Sequence, residues 1–290
     1  MESRIVRSVV LASLLALSVV AAPAAQAAGP AEMKLYVFTS GSLTAAKGAF
    51  QAGGSSDPIT VPVGFYVVKH PRGVVLFDTG NNDKTITDPV GWWGPLAKGF
   101  GLKMTADDAI DVQLAKVGVK PADVKIVVLG HMHLDHAGNM QKFPNATFLI
   151  QNDELTAAYW PDAHVGPFYI PGDFNEAKNY KIMRLNGDLD VFGDQSVVVV
   201  RAPSHTPGSQ FAVVRLPKSG TYVLTSDACY LRENLDKGIL SPGGATWSSR
   251  GTYEAYDKFR YLRDAEGASI FFAHDPEVFK ATKKAPEYYE

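Results

Sequence analysis

Six consecutive residues concentrate most of the chemistry in this chain. His131-Met132-His133-Leu134-Asp135-His136 places four ligand-competent side chains in one stretch, including three of the seven histidines. A lone histidine is ordinarily a hydrogen-bonded core or surface residue, but a cluster this dense with a carboxylate inside it points to metal. Imidazole nitrogen and carboxylate oxygen together suit Zn²⁺ and similar first-row divalent cations. In a tight loop alternate side chains converge, so His131 and His133 suit one ion while Asp135 and His136 turn to a second. Three further segments share one layout: an apolar run, a ligand-competent residue, then a turn. Val197–Arg201 leads to His205-Thr206-Pro207-Gly208, residues 222–225 lead to Asp227, and residues 270–272 lead to His274-Asp275-Pro276. Each alone is a weak signal, because a strand-end Asp or His often merely caps a turn. Four strand ends that each deliver a ligand form a constellation.

Such a constellation needs sheets to position it, and the rest of the chain supplies them. Short β-type runs are expected at 64–69 and 74–77, joined by a His70-Pro71-Arg72-Gly73 hairpin turn, and at 126–129 directly before the histidine cluster. Others fall at 147–150, 197–201, 211–216, 222–225 and 270–272. A helix is expected from Thr105, with Asp107 and Asp108 in its first turn, through Ile110, Leu114 and Val117 to Gly118. More helices are expected near 154–160, 252–263 and 276–282. Strands alternating with helices predict an α/β or α+β fold with covered sheets. Three apolar, Gly- or Pro-punctuated segments are expected as loops: 91–101, 161–171 with Phe168, Tyr169 and Ile170, and 239–247. Trp92 and Trp93 on the first are the candidate substrate contacts.

The 290 residues carry a net charge of −2, are 46% hydrophobic and 20% charged, and so suit a globular chain with a core. No basic block marks a nucleic-acid partner. A single cysteine, Cys229, excludes an internal disulfide and reads as a small buried apolar residue. Arg4 and Arg7 precede an apolar run at 9–20, followed by Ala25-Gln26-Ala27. This is the pattern of a signal peptide cut near Ala27. The apolar run falls short of the ~20 residues that span a bilayer, so no stable membrane anchor is expected. The expected organisation is a leader at 1–27 and one domain at 28–290, placing the mature protein in the periplasm or outside the cell.

The 131–136 cluster, His205-Thr206-Pro207-Gly208, Asp227 and His274, in that order, resemble the metallo-β-lactamase superfamily. Phe77-Asp78-Thr79-Gly80 is similar to the strand end that precedes its metal motif. The resemblance runs from about Lys34 to Lys280 and implies an αβ/βα sandwich: two mixed β-sheets flanked by helices, with metals at one edge. Within the superfamily the chain looks most like the N-acyl homoserine lactonases. Asp227-Ala228-Cys229-Tyr230 has their Asp-x-x-Tyr spacing, Val61-Pro62-Val63-Gly64-Phe65 resembles their N-terminal hairpin, and Phe272-Ala273-His274-Asp275 their last ligand segment.

Carried over by position, His131, His133 and His205 would hold one metal, Asp135, His136 and His274 a second, and Asp227 would bridge them. The implied cofactor is two divalent ions per chain, zinc first, with iron, cobalt or manganese as alternatives. A cysteine ligand or the lack of a bridging acid marks the true β-lactamases, so Asp227 argues against that activity. The implied reaction opens the lactone ring of an N-acyl homoserine lactone by a metal-bridging hydroxide, which quenches a diffusible signal. Asp135 would carry the proton to the leaving alkoxide, and Tyr230 would donate a hydrogen bond to the substrate. The partner is a small acyl lactone, and a homodimer is left open. Other metallohydrolases of the fold form the alternative: another lactonase or esterase, a glyoxalase-type thioesterase or a phosphodiesterase. A non-catalytic relative with a decayed site is disfavoured by the complete ligand set.

Overall fold

Along 35–38, 65–68 and 75–77 every side chain is apolar, and the structure buries both faces. Leu35, Val37, Tyr66, Val68, Val75 and Phe77 join one buried cluster, whereas Tyr36, Phe38, Phe65, Val67 and Leu76 join another. Alternation with both sets buried requires a sheet covered on each side. The computed structural model describes residues 29–290, so the leader expected at 1–27 lies outside the described residues. Among these, eleven strands form two sheets.

The first sheet contains β1 (Lys34–Ala46), β2 (Pro58–His70), β3 (Gly73–Phe77), β4 (Val124–Val128), β5 (Thr147–Gln151) and β6 (Lys181–Leu185), adjacent in that order. β1 to β3 run antiparallel, and β3 to β6 run parallel. The second sheet contains β7 (Leu189–Asp190), β8 (Val197–Arg201), β9 (Gln210–Leu216), β10 (Gly220–Leu224) and β11 (Ser269–Phe271). Its β10–β11 pair is parallel and the remaining pairs are antiparallel.

The α-helices are α1 (Pro89–Trp93), α2 (Pro95–Gly99), α3 (Ile110–Ala115), α4 (Asn152–Tyr159), α5 (Pro171–Phe174), α6 (Arg232–Lys237), α7 (Ser249–Glu266) and α8 (Pro276–Ala281). Val199, Phe211 and Val213 of the second sheet share a core with Val37 and Phe77 of the first, and Ala255, Tyr256 and Phe259 of α7 close it. Ile110, Leu114, Leu155 and Ala158, from α3 and α4, cover the other face of the first sheet. Each buried Leu, Val or Phe contributes about 1.5–3 kcal/mol, which lets this sandwich hold without a disulfide. Cys229 is fully buried, and burial pushes its thiol far up from its ordinary range. The architecture is the expected αβ/βα sandwich of two mixed sheets flanked by helices.

Two local expectations are corrected. The segment at 91–101 is not a plain loop, because α1 and α2 each begin on a proline and Asp88 caps the first, accepting from Gly91 N at 2.7 Å. The helix expected from Thr105 to Gly118 is interrupted. Asp108 closes a capped turn onto the Thr105 N–H at 2.8 Å, Ala109 is extended at ψ 136°, and α3 begins anew at Ile110.

Candidate metal centre

Every ligand-competent residue singled out in the sequence leaves a strand end. β4 runs into the 131–136 cluster, β8 into His205, β10 into Asp227 and β11 into His274. These turns pack on one another at contact distance. Gly130 passes Ser226 so closely that a Cβ there would lie 2.1 Å from the serine Oγ, so only glycine fits. Asp78 and Ser226 both adopt left-handed backbone, at φ 62° and 43°. That strain is held by a shared network. Asp78 Oδ1 accepts from Gly130 N at 2.7 Å, while its Oδ2 accepts from Ser226 Oγ at 3.1 Å and lies 2.8 Å from His136 Nδ1.

The six metal-competent groups around Asp227 form two sets. His131, His133 and His205 bring ligand atoms within 4.8 Å of one another, and so do Asp135, His136 and His274. Asp227 lies between them. Its Oδ2 is 3.6 Å from His131 Nε2 and 3.5 Å from His205 Nε2, and its Oδ1 is 3.1 Å from His136 Nε2 and 3.2 Å from His274 Nε2. One carboxylate thus turns one oxygen to each set. His205 Nε2 and His133 Nδ1 face each other at 2.9 Å, and Asp135 Oδ2 lies 3.6 Å from both His136 Nε2 and His274 Nε2.

The donor set fits divalent cations. His131 Nε2, His136 Nε2 and Asp227 Oδ1 are buried without a hydrogen-bond partner and face one another across Asp227. Unpaired buried polar atoms are costly, and several aimed at one another are what a coordinating cation resolves. The opposite ring nitrogens are held instead: His205 Nδ1 by Ala245 O at 2.7 Å, His274 Nδ1 by Pro62 O at 2.9 Å, and His136 Nδ1 by Asp78. Such outer contacts fix the tautomer and aim the free nitrogen inward.

Charge differs between the sets. Burial, with neighbouring imidazoles, holds His131 and His133 well below the usual histidine range, and burial lowers His205. Burial also opposes charge on His136 and His274, but Asp227 and Asp135 outweigh it and raise both. Asp227 is buried too, yet His136, His274 and His131 hold it well below the usual carboxylate range.

A family model for the metallo-beta-lactamase superfamily matches residues 60–274, the span that holds all seven of these residues. The chain belongs to the metallo-beta-lactamase superfamily. The N-acyl homoserine lactonase AttM of Azorhizobium caulinodans is 36% identical over 264 residues, 89% of this chain and 99% of that one. An N-acyl homoserine lactonase of Bacillus cereus is 32% identical over 231 residues, 79% of this chain and 88% of the relative. Among solved structures, an N-acyl homoserine lactone hydrolase with N-hexanoyl-L-homoserine at its catalytic metal centre matches with a TM-score of 0.77. It is 26% identical and covers 88% of this chain and 98% of its own. The resemblance read from the sequence, to the superfamily and to its lactonases, is borne out.

In this superfamily member His133 and His205 of the first set, Asp135 and His274 of the second, and Asp227 line the floor of a cavity of about 310 Å³. Its walls are apolar: Leu43, Phe50, Trp93, Phe100, Leu134 and Phe168. All three apolar segments singled out in the sequence reach it, through Trp93 and Phe100, Phe168, and Ala245. Tyr230 is buried on the same wall, its hydroxyl 3.4 Å from His205 Nδ1, and burial raises its phenol well above the usual range, keeping it a donor. Trp92, expected beside Trp93 on the wall, faces elsewhere. Its indole N–H donates to Asp173 Oδ1 at 2.8 Å, Lys84 lies over its ring, and Gly172 packs against it. A polar partner and a cation drew this ring off the cavity, which periodicity does not reveal. The sequence reading also passed over Ser226 and Glu154, both buried beside the ligand loops; neither carries a local signal beyond its place after a strand.

Proposed function

We propose that this chain is a two-cation hydrolase that opens the lactone ring of N-acyl homoserine lactones. The carrying observation is the Asp227 carboxylate, split between a three-histidine set and an Asp–His–His set at the floor of an apolar cavity. His131, His133 and His205 would hold one cation, Asp135, His136 and His274 the other, with Asp227 shared. Zinc fits this nitrogen-rich donor set best, and iron, cobalt and manganese are its competitors. When bound, two such cations polarise an ester carbonyl and lower the pKa of a shared water from ~15.7 toward ~7.

The protein groups supply the rest. The apolar walls at Leu43, Phe50, Trp93 and Phe168 bury an acyl chain and exclude water from the floor. Tyr230 donates its phenolic hydrogen bond to the substrate carbonyl or ring oxygen, where charge develops as the tetrahedral centre forms. Asp135, on the cavity floor, takes the proton of the attacking water and passes it to the ring oxygen as the acyl C–O bond breaks. The product is an acyl homoserine bearing a free carboxylate and hydroxyl. The relatives that match this chain over most of their length are named for this reaction, which supports the reading.

The test is pH-stat titration of cation-loaded protein with acyl homoserine lactones of increasing chain length. One acid equivalent per lactone is the expected result. A loaded protein that releases none, yet cleaves lactoylglutathione or a phosphodiester, overturns it.

We also propose export. The 1–27 segment has the charge, apolar run and Ala-x-Ala end of a secretory leader, and no helix among the described residues is long and apolar enough to cross a membrane. An N-terminus at Ala28 in periplasmic or culture fractions is expected. A full-length chain confined to the cytoplasm refutes it.

A further inference from the structure

Glu154 is fully buried at the start of α4, is not one of the metal-competent set, and has no step in the reaction above. Its carboxylate nevertheless meets four donors from three loops. Oε1 accepts from Met132 N–H at 2.8 Å and from the Tyr169 hydroxyl at 3.2 Å. Oε2 accepts from the Thr206 hydroxyl at 2.5 Å and from Gly208 N–H at 3.3 Å.

Each donor adjoins one set. Met132 lies between His131 and His133, and Thr206 follows His205. The Tyr169 ring packs edge-on against His133, with centroids 4.5 Å apart. Gly208 sits so close that a Cβ would lie 2.2 Å from Glu154 N, which leaves the loop no room to shift inward. The second set is tied elsewhere, His136 to Asp78 and His274 to Pro62 O.

An ionised carboxylate is the side chain that meets four donors without conflict, because it offers acceptors alone. Glutamine, of the same shape, would turn an NH₂ group toward two of those donors.

We propose that Glu154 is the positioning residue of the first set: it holds His131, His133 and His205 at the spacing that grips one cation, while the second set keeps its grip without it. The inference rests on the two-cation reading above and names the part of the fold that sets one of the two affinities.

The experiment loads the whole protein with zinc and dialyses it against a graded series of chelator. Glu154→Gln is compared with the unaltered chain by bound-metal analysis, and again with cobalt by its absorption bands. Partners of this kind typically set about 10–100-fold in metal affinity. One of the two cations is therefore expected to leave at about 10–100-fold lower chelator strength, with the other unchanged. Unchanged retention of both, or equal weakening of both, overturns the proposal, since a general loss of packing loosens the sets alike. Thr206→Val removes a single donor and decides the matter if E154Q does not fold. One cation about 10-fold weaker supports the proposal; two unchanged cations overturn it. No lactone enters the measurement. An unaltered chain holding fewer than two cations would instead refute the two-cation reading itself, and a chain that binds both yet opens no lactone would refute only the substrate.

Discussion

The two ligand sets sit side by side and share Asp227, yet they are built on different principles. The first, His131, His133 and His205, is all imidazole, and burial keeps its rings neutral. The second, Asp135, His136 and His274, carries a carboxylate of its own, and the acids around it raise both histidines. They are also held differently. His136 and His274 are aimed through their own ring nitrogens, by Asp78 and Pro62. In the first set His205 is aimed likewise by Ala245 O, but His131 makes no hydrogen bond through either ring nitrogen and is placed through the adjacent backbone, which Glu154 fixes. Aiming a ring and placing a loop are two solutions to one problem, and they should fail separately.

Removing the shared group tests the frame most severely. Asp227→Ala is expected to cost both cations and at least about 1,000-fold in kcat/KM, near 4 kcal/mol of barrier. Metal analysis showing one set still filled would mean that the carboxylate belongs to a single set. Next in size is Tyr230→Phe, which touches chemistry and spares binding of metal. A fall of about 100-fold in kcat with both cations retained is the expected result. Loss of metal in that variant would place Tyr230 among the supports.

The counterpart to Glu154 comes third. Asp78→Asn should weaken the cation of the second set most, about 10-fold through His136, with a smaller effect on the first because Asp78 also accepts from Gly130 N–H beside His131. Measured beside Glu154→Gln in the same cobalt spectra, the two variants should perturb different bands. Identical changes would collapse the comparison into one cooperative site.

The smallest effect lies beside the cavity. Asp173 is buried against Trp92 and Asn82, and burial lifts its carboxyl from 3.8 to about 7. The fold therefore holds this proton more tightly than the unfolded chain does. Its contribution to stability is complete below pH 3.8 and is lost as pH rises through about 7. The melting temperature should drop a few degrees between about pH 4 and 7 and level off above, and Asp173→Asn should flatten that slope. Parallel curves for the two proteins would reject the assignment.

Much of the site was legible because its signals are local. Four ligand-competent residues within six positions need no fold to be noticed, and an apolar run followed by one His or Asp announces a strand end. The residues that escaped notice share a property: their partners are distant in sequence. Ser226 meets Asp78 across 148 positions, and Glu154 meets Thr206 across 52. Trp92 and Trp93 are neighbours with equal claims on the cavity until Asp173, 81 positions from Trp92, takes one of them. Likewise Pro89, Pro95 and Asp88 turned an apparent loop into two short helices, because proline is pre-set for a first helical turn and an aspartate satisfies its free N–H groups.

What the amino-acid order determined alone was the inventory: seven metal-competent side chains, sheets to carry them, and apolar segments to flank them. Periodicity and ligand chemistry are properties of a few consecutive side chains, so they survive without coordinates. Only the folded chain decided which ligand faces which, that Asp227 turns one oxygen to each set, and that Glu154 meets the loops of the first set while Asp78 meets His136 and the Gly130 turn. Those are distances between segments far apart along the backbone, set by how two sheets pack and where buried polar atoms find partners, and no local pattern encodes them.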